Sequence, residues 1–261
     1  MESETPAALN ATVSRRHDLN ARLAIVRVRP DDGSRPDFEP GQSATLGLRD
    51  PADPARLLRR VYSIASAPGR PELEFYIQLV REGRFTTRLW DLEVGDPLHL
   101  APRIVGRFTL AGIPPEREVL ALATGTGPAP YLSMLRQFAG SGRWARFTLV
   151  HGARTVEELG FRDELRALAE RHADIRYLPT VTREAAGAWT GLRGRITELL
   201  SDGRLEAALG HALDPARTHV LLCGNPEMID QVEALLVPRG FHAPAPGAAA
   251  ADGRLHFERW W

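Results

Sequence analysis

The sequence contains no lysine: all 33 of its basic residues are arginine, and 33 acidic residues balance them to a formal net charge of zero. A neutral chain gives a nucleic-acid role no whole-molecule electrostatic support. The arginine bias fits a GC-rich coding preference. Chemically, it makes every cationic contact a planar fork suited to phosphate and carboxylate. Cysteine is nearly absent too. One thiol, Cys223, cannot build a disulfide framework, a zinc knuckle or an in-chain iron–sulfur cluster. The histidines show no H-E-x-x-H or comparable spacing, so no metal site is expected. No apolar run approaches the roughly eighteen residues of a membrane span. The start, Met1-Glu2-Ser3-Glu4-Thr5, lacks the basic and apolar regions of a secretory signal. The expected compartment is the cytoplasm, with no membrane partner, and nothing argues against a monomer.

The 261 residues suffice for two domains of ordinary size. Up to about residue 112, short apolar stretches alternate with Gly- and Pro-rich turns. Strands are expected at residues 23–28, 44–48, 61–64, 73–80 and 98–100, with a helical interruption at 86–91. This spacing suggests a barrel or sandwich. Residues 1–18 read as partly disordered. From residue 113 the pattern changes to continuous apolar runs followed by helical periods. Strands are expected at 119–123, 147–151, 175–181, 219–223 and 255–258, and helices at 129–138, 163–171 and 227–236. Alternation of this kind implies a parallel sheet covered by helices.

Gly125-Thr126-Gly127-Pro128 follows a buried strand and opens a helix, where backbone N–H groups can face an anion. Pro130 stands where the dinucleotide fingerprint requires a third Gly or Ala, so that fingerprint is not met. A tight strand–helix turn is the competing reading. Arg154, Arg183 and Arg195 follow the next strands and could converge on one phosphate, or be three unrelated surface arginines. In the first half, Arg60 and Tyr62 alternate with Val61 and Ser63 along a strand, putting a fork and a phenol on one face. That face suits a flavin: the fork for phosphate, the ring for stacking. Gly83-Arg84-Phe85-Thr86 offers a second anion nest or an ordinary turn. Cys223 ends a buried strand with no adjacent base to make it a nucleophile.

Taken in order, Arg60-x-Tyr62-Ser63-x-x-Ser66, Gly83-Arg84-Phe85-Thr86, Thr124-Gly125-Thr126-Gly127-Pro128-Ala129-Pro130-Tyr131 and Cys223-Gly224-Asn225-Pro226-Glu227-Met228 resemble the bacterial ferredoxin/flavodoxin–NADP⁺ reductase family. The resemblance runs from about Val13 to Trp261. It implies an antiparallel Greek-key β-barrel binding FAD, then a parallel α/β domain binding NADP(H). It places Arg60, Val61, Tyr62, Ser63, Phe75, Arg84, Phe85, Thr86 and Thr126 at the flavin, with Trp260 and Trp261 capping it. Gly125, Gly127, Arg154, Thr182, Arg183, Arg195, Asn225, Pro226 and Glu227 would meet the nucleotide. Ser63, Cys223 and Glu258 would flank the reacting rings. The implied reaction carries hydride between NADPH and flavin and single electrons to a separate ferredoxin or flavodoxin. Alternatives are a reductase serving a dedicated oxygenase or a ferric-siderophore system, and a flavin- or nucleotide-binding sensor without turnover.

Overall fold

The computed structural model describes residues 8–245 and 253–259, so Trp260 and Trp261 lie outside the described residues. The chain divides into two units, Met1–Thr109 and Leu110–Trp261.

The first unit is a closed antiparallel sheet. Its strands are β1 (Ala11–Asn20), β2 (Leu23–Pro30), β3 (Ser43–Asp50), β4 (Asp53–Ser63), β5 (Leu73–Gln78) and β6 (Pro97–Leu100), in spatial order β4-β3-β6-β1-β2-β5. β6 returns to lie between β3 and β1, a Greek-key connection. An antiparallel bridge from Ile64 to Phe75 closes the ring, backed by the Ala65 N–H donating to the Glu74 carbonyl at 2.8 Å. Closure removes the open edges that would invite aggregation. Alternate residues such as Val26, Val28, Leu46, Leu48, Phe75 and Ile77 fill the interior. α1 (Arg84–Trp90) inserts Phe85 and Leu89 into that core.

β1 corrects the expected disorder of residues 1–18 over 11–18. Only Ala11 and Val13 are fully inward, and the register shifts between Val13 and Arg15. Apart from Leu19 the rest of the strand is polar, which hides its period from a hydrophobic pattern.

The second unit is an all-parallel six-stranded sheet with helices on both faces. It comprises β7 (Glu118–Thr124), α2 (Pro128–Phe138), β8 (Arg146–Ala153), α3 (Arg162–Arg171), β9 (Ile175–Val181), β10 (Leu192–Arg193), α4 (Ile196–Ser201), α5 (Arg204–Leu209), β11 (Thr218–Gly224), α6 (Pro226–Leu236) and β12 (Leu255–Arg259). The spatial order is β10-β9-β8-β7-β11-β12. Side chains alternate across each strand, so Leu120, Leu122, Val150, Val220 and Leu222 meet α4, α5 and α6. Phe147 points the other way, against Tyr131 of α2 at 6.4 Å and Trp144 at 4.9 Å between ring centroids. α2 and α3 are tied by a two-point ion pair between Arg136 and Glu164, both contacts at 2.7 Å. No helix among the described residues is long and apolar enough to cross a membrane.

Candidate functional site

In the first unit, β4 turns Arg60 and Tyr62 to one face. Tyr62 is half-buried, with its ring edge-on to Phe75 at 6.4 Å and tilted against Phe85 at 5.9 Å. Burial pushes the Tyr62 phenol well above its ordinary pKa, partly opposed by the Arg60 charge, so the ring stays neutral. Arg60 donates to the Arg59 carbonyl at 2.9 Å, and its guanidinium makes no ion pair among the described residues. A neutral, rigidly backed ring beside a cation with no counter-charge fits a flavin and its phosphates.

Four expected flavin contacts have partners within the protein. The Phe75 and Phe85 rings are 0% and 2% exposed, so they support Tyr62 from beneath rather than offering a surface to a ligand. The Thr86 hydroxyl donates to the Val80 carbonyl at 2.9 Å and accepts from the Val80 N–H at 3.1 Å, clamping the turn before α1. Arg84 donates to both oxygens of Asp50 at 2.9 Å. The Ala52 N–H, then the Arg84 charge, hold the Asp50 carboxyl below its ordinary range, so Arg84 already has an anion. Val61 and Ser63 end β4, half-buried opposite Thr45 and Ser43.

In the second unit the strand order reverses between β7 and β11, the switch point where open α/β sheets bind ligands at their carboxyl edge. Two loops leave that edge side by side, Thr124-Gly125-Thr126-Gly127 and Gly224-Asn225. They are locked together, because the Asn225 N–H donates to Thr124 Oγ1 at 3.0 Å. A Cβ on Gly127 would overlap the Cys223 carbonyl, and one on Gly224 would overlap Thr124. Gly127 and Gly224 therefore permit loop-to-loop contact.

Most N–H groups of the first loop are already used. Gly127 donates to the Thr124 carbonyl at 3.0 Å, Ala129 to Thr126 at 3.2 Å and Gly125 to Gly152 at 3.4 Å. Pro128 and Pro130 have none. From 125 to 130, the Thr126 N–H alone lacks an acceptor among the described residues, and Thr126 is partly exposed. The expected anion cradle reduces to one backbone donor beside the Thr126 hydroxyl.

Cys223 pairs in register with Ala123 on one side and Glu258 on the other, so thiol and carboxyl end adjacent strands. Burial first, then Glu258, pushes the Cys223 thiol well above its ordinary pKa. It is a small neutral group, not a thiolate nucleophile. The fully buried Tyr131 phenol is raised too, by burial and by Cys223 and Glu258. Asn225-Pro226-Glu227 forms a helix start: the Asn225 side chain caps the Glu227 N–H at 2.8 Å, Pro226 takes the first helical position, and Glu227 accepts from Gln231 at 3.1 Å.

The arginines sit along the same edge, at the ends of β8, β9 and β10. The Arg183 N–H donates to the Arg154 carbonyl at 2.7 Å and the Thr182 N–H to Ala153 at 3.1 Å, which joins the first two turns. Arg183 and Arg195 are exposed, and neither guanidinium makes an ion pair among the described residues. Arg154 differs. Its side chain meets both oxygens of Glu158, at 3.0 and 2.5 Å, and this pairing raises its pKa. The sequence reading missed Glu158, although its i,i+4 spacing from Arg154 is a visible signal. It also missed Arg193, which grips the carbonyls of Glu184 at 2.9 Å and Ala185 at 2.7 Å and shapes the turn between Arg183 and Arg195.

Residues 121–234 match the oxidoreductase NAD-binding domain family. The chain is 36% identical over 246 residues to ferredoxin–NADP reductase A of Sorangium cellulosum, covering 90% of this chain and 85% of that one. It is 36% identical over 193 residues to the flavodoxin/ferredoxin–NADP reductase of Escherichia coli, covering 74% and 76%. A crystal structure of a ferredoxin NADP⁺ reductase from Neisseria gonorrhoeae with bound FAD and NADP superposes with a TM-score of 0.83 at 29% identity, covering 95% of this chain and 97% of that one. Similarity of this extent, across both units, identifies the chain as a member of the ferredoxin/flavodoxin–NADP reductase family.

Proposed function

We propose that this chain carries hydride between NADPH and FAD and passes single electrons to a ferredoxin or flavodoxin. The supporting observation is that both units match the Neisseria reductase, whose structure holds FAD and NADP, along nearly the whole of each chain. Bound FAD supplies the chemistry, taking two electrons as hydride and releasing them one at a time. The protein's contribution is binding and electrostatics. Tyr62 offers a neutral stacking face, and Arg60, which makes no ion pair among the described residues, a cation for the flavin phosphates. Arg183 and Arg195 suit a nucleotide 2′-phosphate, which favours NADPH over NADH. Cys223 and Glu258 present a compact neutral thiol and a carboxyl where the nicotinamide would arrive. One cysteine cannot hold an iron–sulfur centre within these residues, which suits an acceptor outside them. The exposed Arg56, Arg59, Arg81 and Arg88 suit an acidic carrier.

The test is direct. The purified protein should be yellow, release FAD identified by mass, and reduce ferricyanide and ferredoxin faster with NADPH than with NADH. A colourless protein, or a preference for NADH, would overturn this reading.

A further inference from the structure

Arg183 and Arg195 lie on either side of β10, at the exposed end of the second sheet. Two surface side chains bind one phosphate well only if the backbones beneath them are already held at the right separation; otherwise the ordering is taken from the binding energy. Regular structure supplies little of that hold. β10 is the edge strand, two residues long, and residues 182–191 between β9 and β10 form neither helix nor strand.

Side chains hold this segment instead. Leu192 packs on the core formed with α4, α5 and α6, so strand alternation turns Arg193 to the opposite face. There its guanidinium donates to the Glu184 carbonyl at 2.9 Å from one terminal nitrogen. The other terminal nitrogen donates to the carbonyls of Ala185 at 2.7 Å and Trp189 at 3.4 Å. Arg193 makes no ion pair among the described residues, so its fork is filled by backbone oxygens of the turn that begins at Arg183. Glu184 extends the hold in the other direction. Its carboxylate accepts the Val156 N–H at 2.7 Å, just past Arg154 in the turn after β8. On the far side, the Arg193 carbonyl accepts from Arg204 at 2.6 Å, the Gly194 carbonyl accepts from the Thr180 hydroxyl at 2.9 Å, and the Arg195 N–H donates to Glu198 at 2.9 Å. The contacts run without a break from the turn of Arg154, through Glu184 and Arg193, to the turn of Arg195.

We propose that Arg193 is a positioning residue for nucleotide selectivity: its guanidinium on the carbonyls of Glu184, Ala185 and Trp189, together with the Glu184 carboxylate on the Val156 N–H, holds Arg183 and Arg195 at the spacing a 2′-phosphate requires. This rests on the NADP(H) reading above and deepens it. Neither Arg193 nor Glu184 meets the nucleotide; both act through the backbone that carries the binding arginines.

The test measures kcat and KM for NADPH and NADH in the FAD-loaded protein, and the affinities for 2′-AMP and 5′-AMP by titration calorimetry. Arg193→Lys keeps the charge and loses the planar fork; Arg193→Met loses both. Both variants should raise KM for NADPH and lower the NADPH/NADH ratio of kcat/KM by about fivefold, with 2′-AMP binding weakened to match. The kcat at saturating NADPH, the kcat/KM for NADH and the 5′-AMP affinity should stay close to wild type. An unchanged ratio in Arg193→Met overturns the proposal. A full wild-type ratio in Arg193→Lys overturns it too, because charge rather than the fork then sets selectivity. Equal losses with NADPH and NADH overturn it by marking a general packing role. A second pair of variants decides the matter if the Arg193 variants do not fold. Glu184→Gln loses the charge and keeps an acceptor for the Val156 N–H, whereas Glu184→Ala loses both. The Ala variant should show a ratio about threefold below the Gln variant, and equal ratios in the two overturn the proposal. Wild-type protein that prefers neither NADPH over NADH nor 2′-AMP over 5′-AMP defeats the 2′-phosphate reading itself, a failure seen before any substitution is made.

Discussion

Two stretches of the same sheet edge read as phosphate sites in the sequence, and they are built from different materials. The loop after β7 is backbone machinery. Gly127 lets it lie against the end of β11, its N–H groups mostly bond within the loop, and one donor lacks an acceptor among the described residues. The turns after β8, β9 and β10 are charge machinery, three arginines, the first two on backbones cross-linked through Thr182 and Arg183. A glycine motif can therefore record contact between two strands of the protein as readily as contact with a ligand. An arginine with no carboxylate nearby carries a stronger functional message.

The comparison breaks most visibly at Gly127. Its φ of −58° suits any residue, so Gly127→Ala tests only the overlap with the Cys223 carbonyl. Separating the two loops should destabilise the protein by about 3 kcal/mol, the upper end for overpacking. Thermal unfolding should show a fall of roughly 6–12 °C. If the glycine served a pyrophosphate instead, the melting temperature would hold and only nucleotide affinity would drop.

At the arginine turns the expected effect lies on the ligand. Replacing Arg183 and Arg195 together by Ala should lower the NADPH/NADH ratio of kcat/KM by about thirtyfold, near 2 kcal/mol. The melting temperature should barely move, since neither guanidinium is paired among the described residues. An unchanged ratio would remove the 2′-phosphate role from both.

The second unit was the more legible because parallel strands buried on both faces write continuous apolar runs, as residues 119–123 and 147–151 do. Its longer helices, α2, α3 and α6, were legible too, but α4 and α5, with six residues each, are too short for a clear period. In the barrel, β1 escaped because only Ala11 and Val13 point fully inward and a register shift interrupts the alternation. At the sites, sequence located the loops but not the fate of each donor. Nothing in Gly83-Arg84-Phe85-Thr86 announces that Asp50, far earlier in the chain, claims Arg84, or that Thr86 clamps Val80. Those assignments depend on tertiary neighbours.

Acid probes the far end of the sheet and leaves the nucleotide edge as a reference. His219 and His256 stack at 5.4 Å with ring nitrogens 3.1 Å apart. Burial, then neighbouring positive groups, hold both down to about pKa 4. Each folded value lies below the unfolded one near 6.5, so the unfolded chain binds more protons between them and stability rises with pH. The contribution is complete above about pH 6.5 and is lost as pH falls through 4. From pH 7 to 5.5 the pair should contribute a loss of about 1 kcal/mol, discounted for partial screening. His256→Asn should flatten the slope of melting temperature against pH, and a slope unchanged by the substitution would show that these imidazoles do not govern it.

The finest test separates Arg154 from its two neighbours. Its guanidinium is already matched by Glu158, so the pair presents little net charge to an incoming phosphate. Arg154→Ala alone confounds two changes, because it removes a cation and uncovers a carboxylate. Deleting both, with Arg154→Ala and Glu158→Ala, removes a nearly neutral unit and should change the NADPH/NADH ratio by less than about threefold, under 1 kcal/mol. Glu158→Gln alone should move the ratio slightly toward NADPH, since it releases the fork without removing it. If the double deletion costs as much selectivity as losing Arg183 and Arg195, Arg154 must leave Glu158 when the nucleotide binds. The ion pair would then be a resting state that the 2′-phosphate displaces, and the three turns would act as one cationic site despite their unequal pairing.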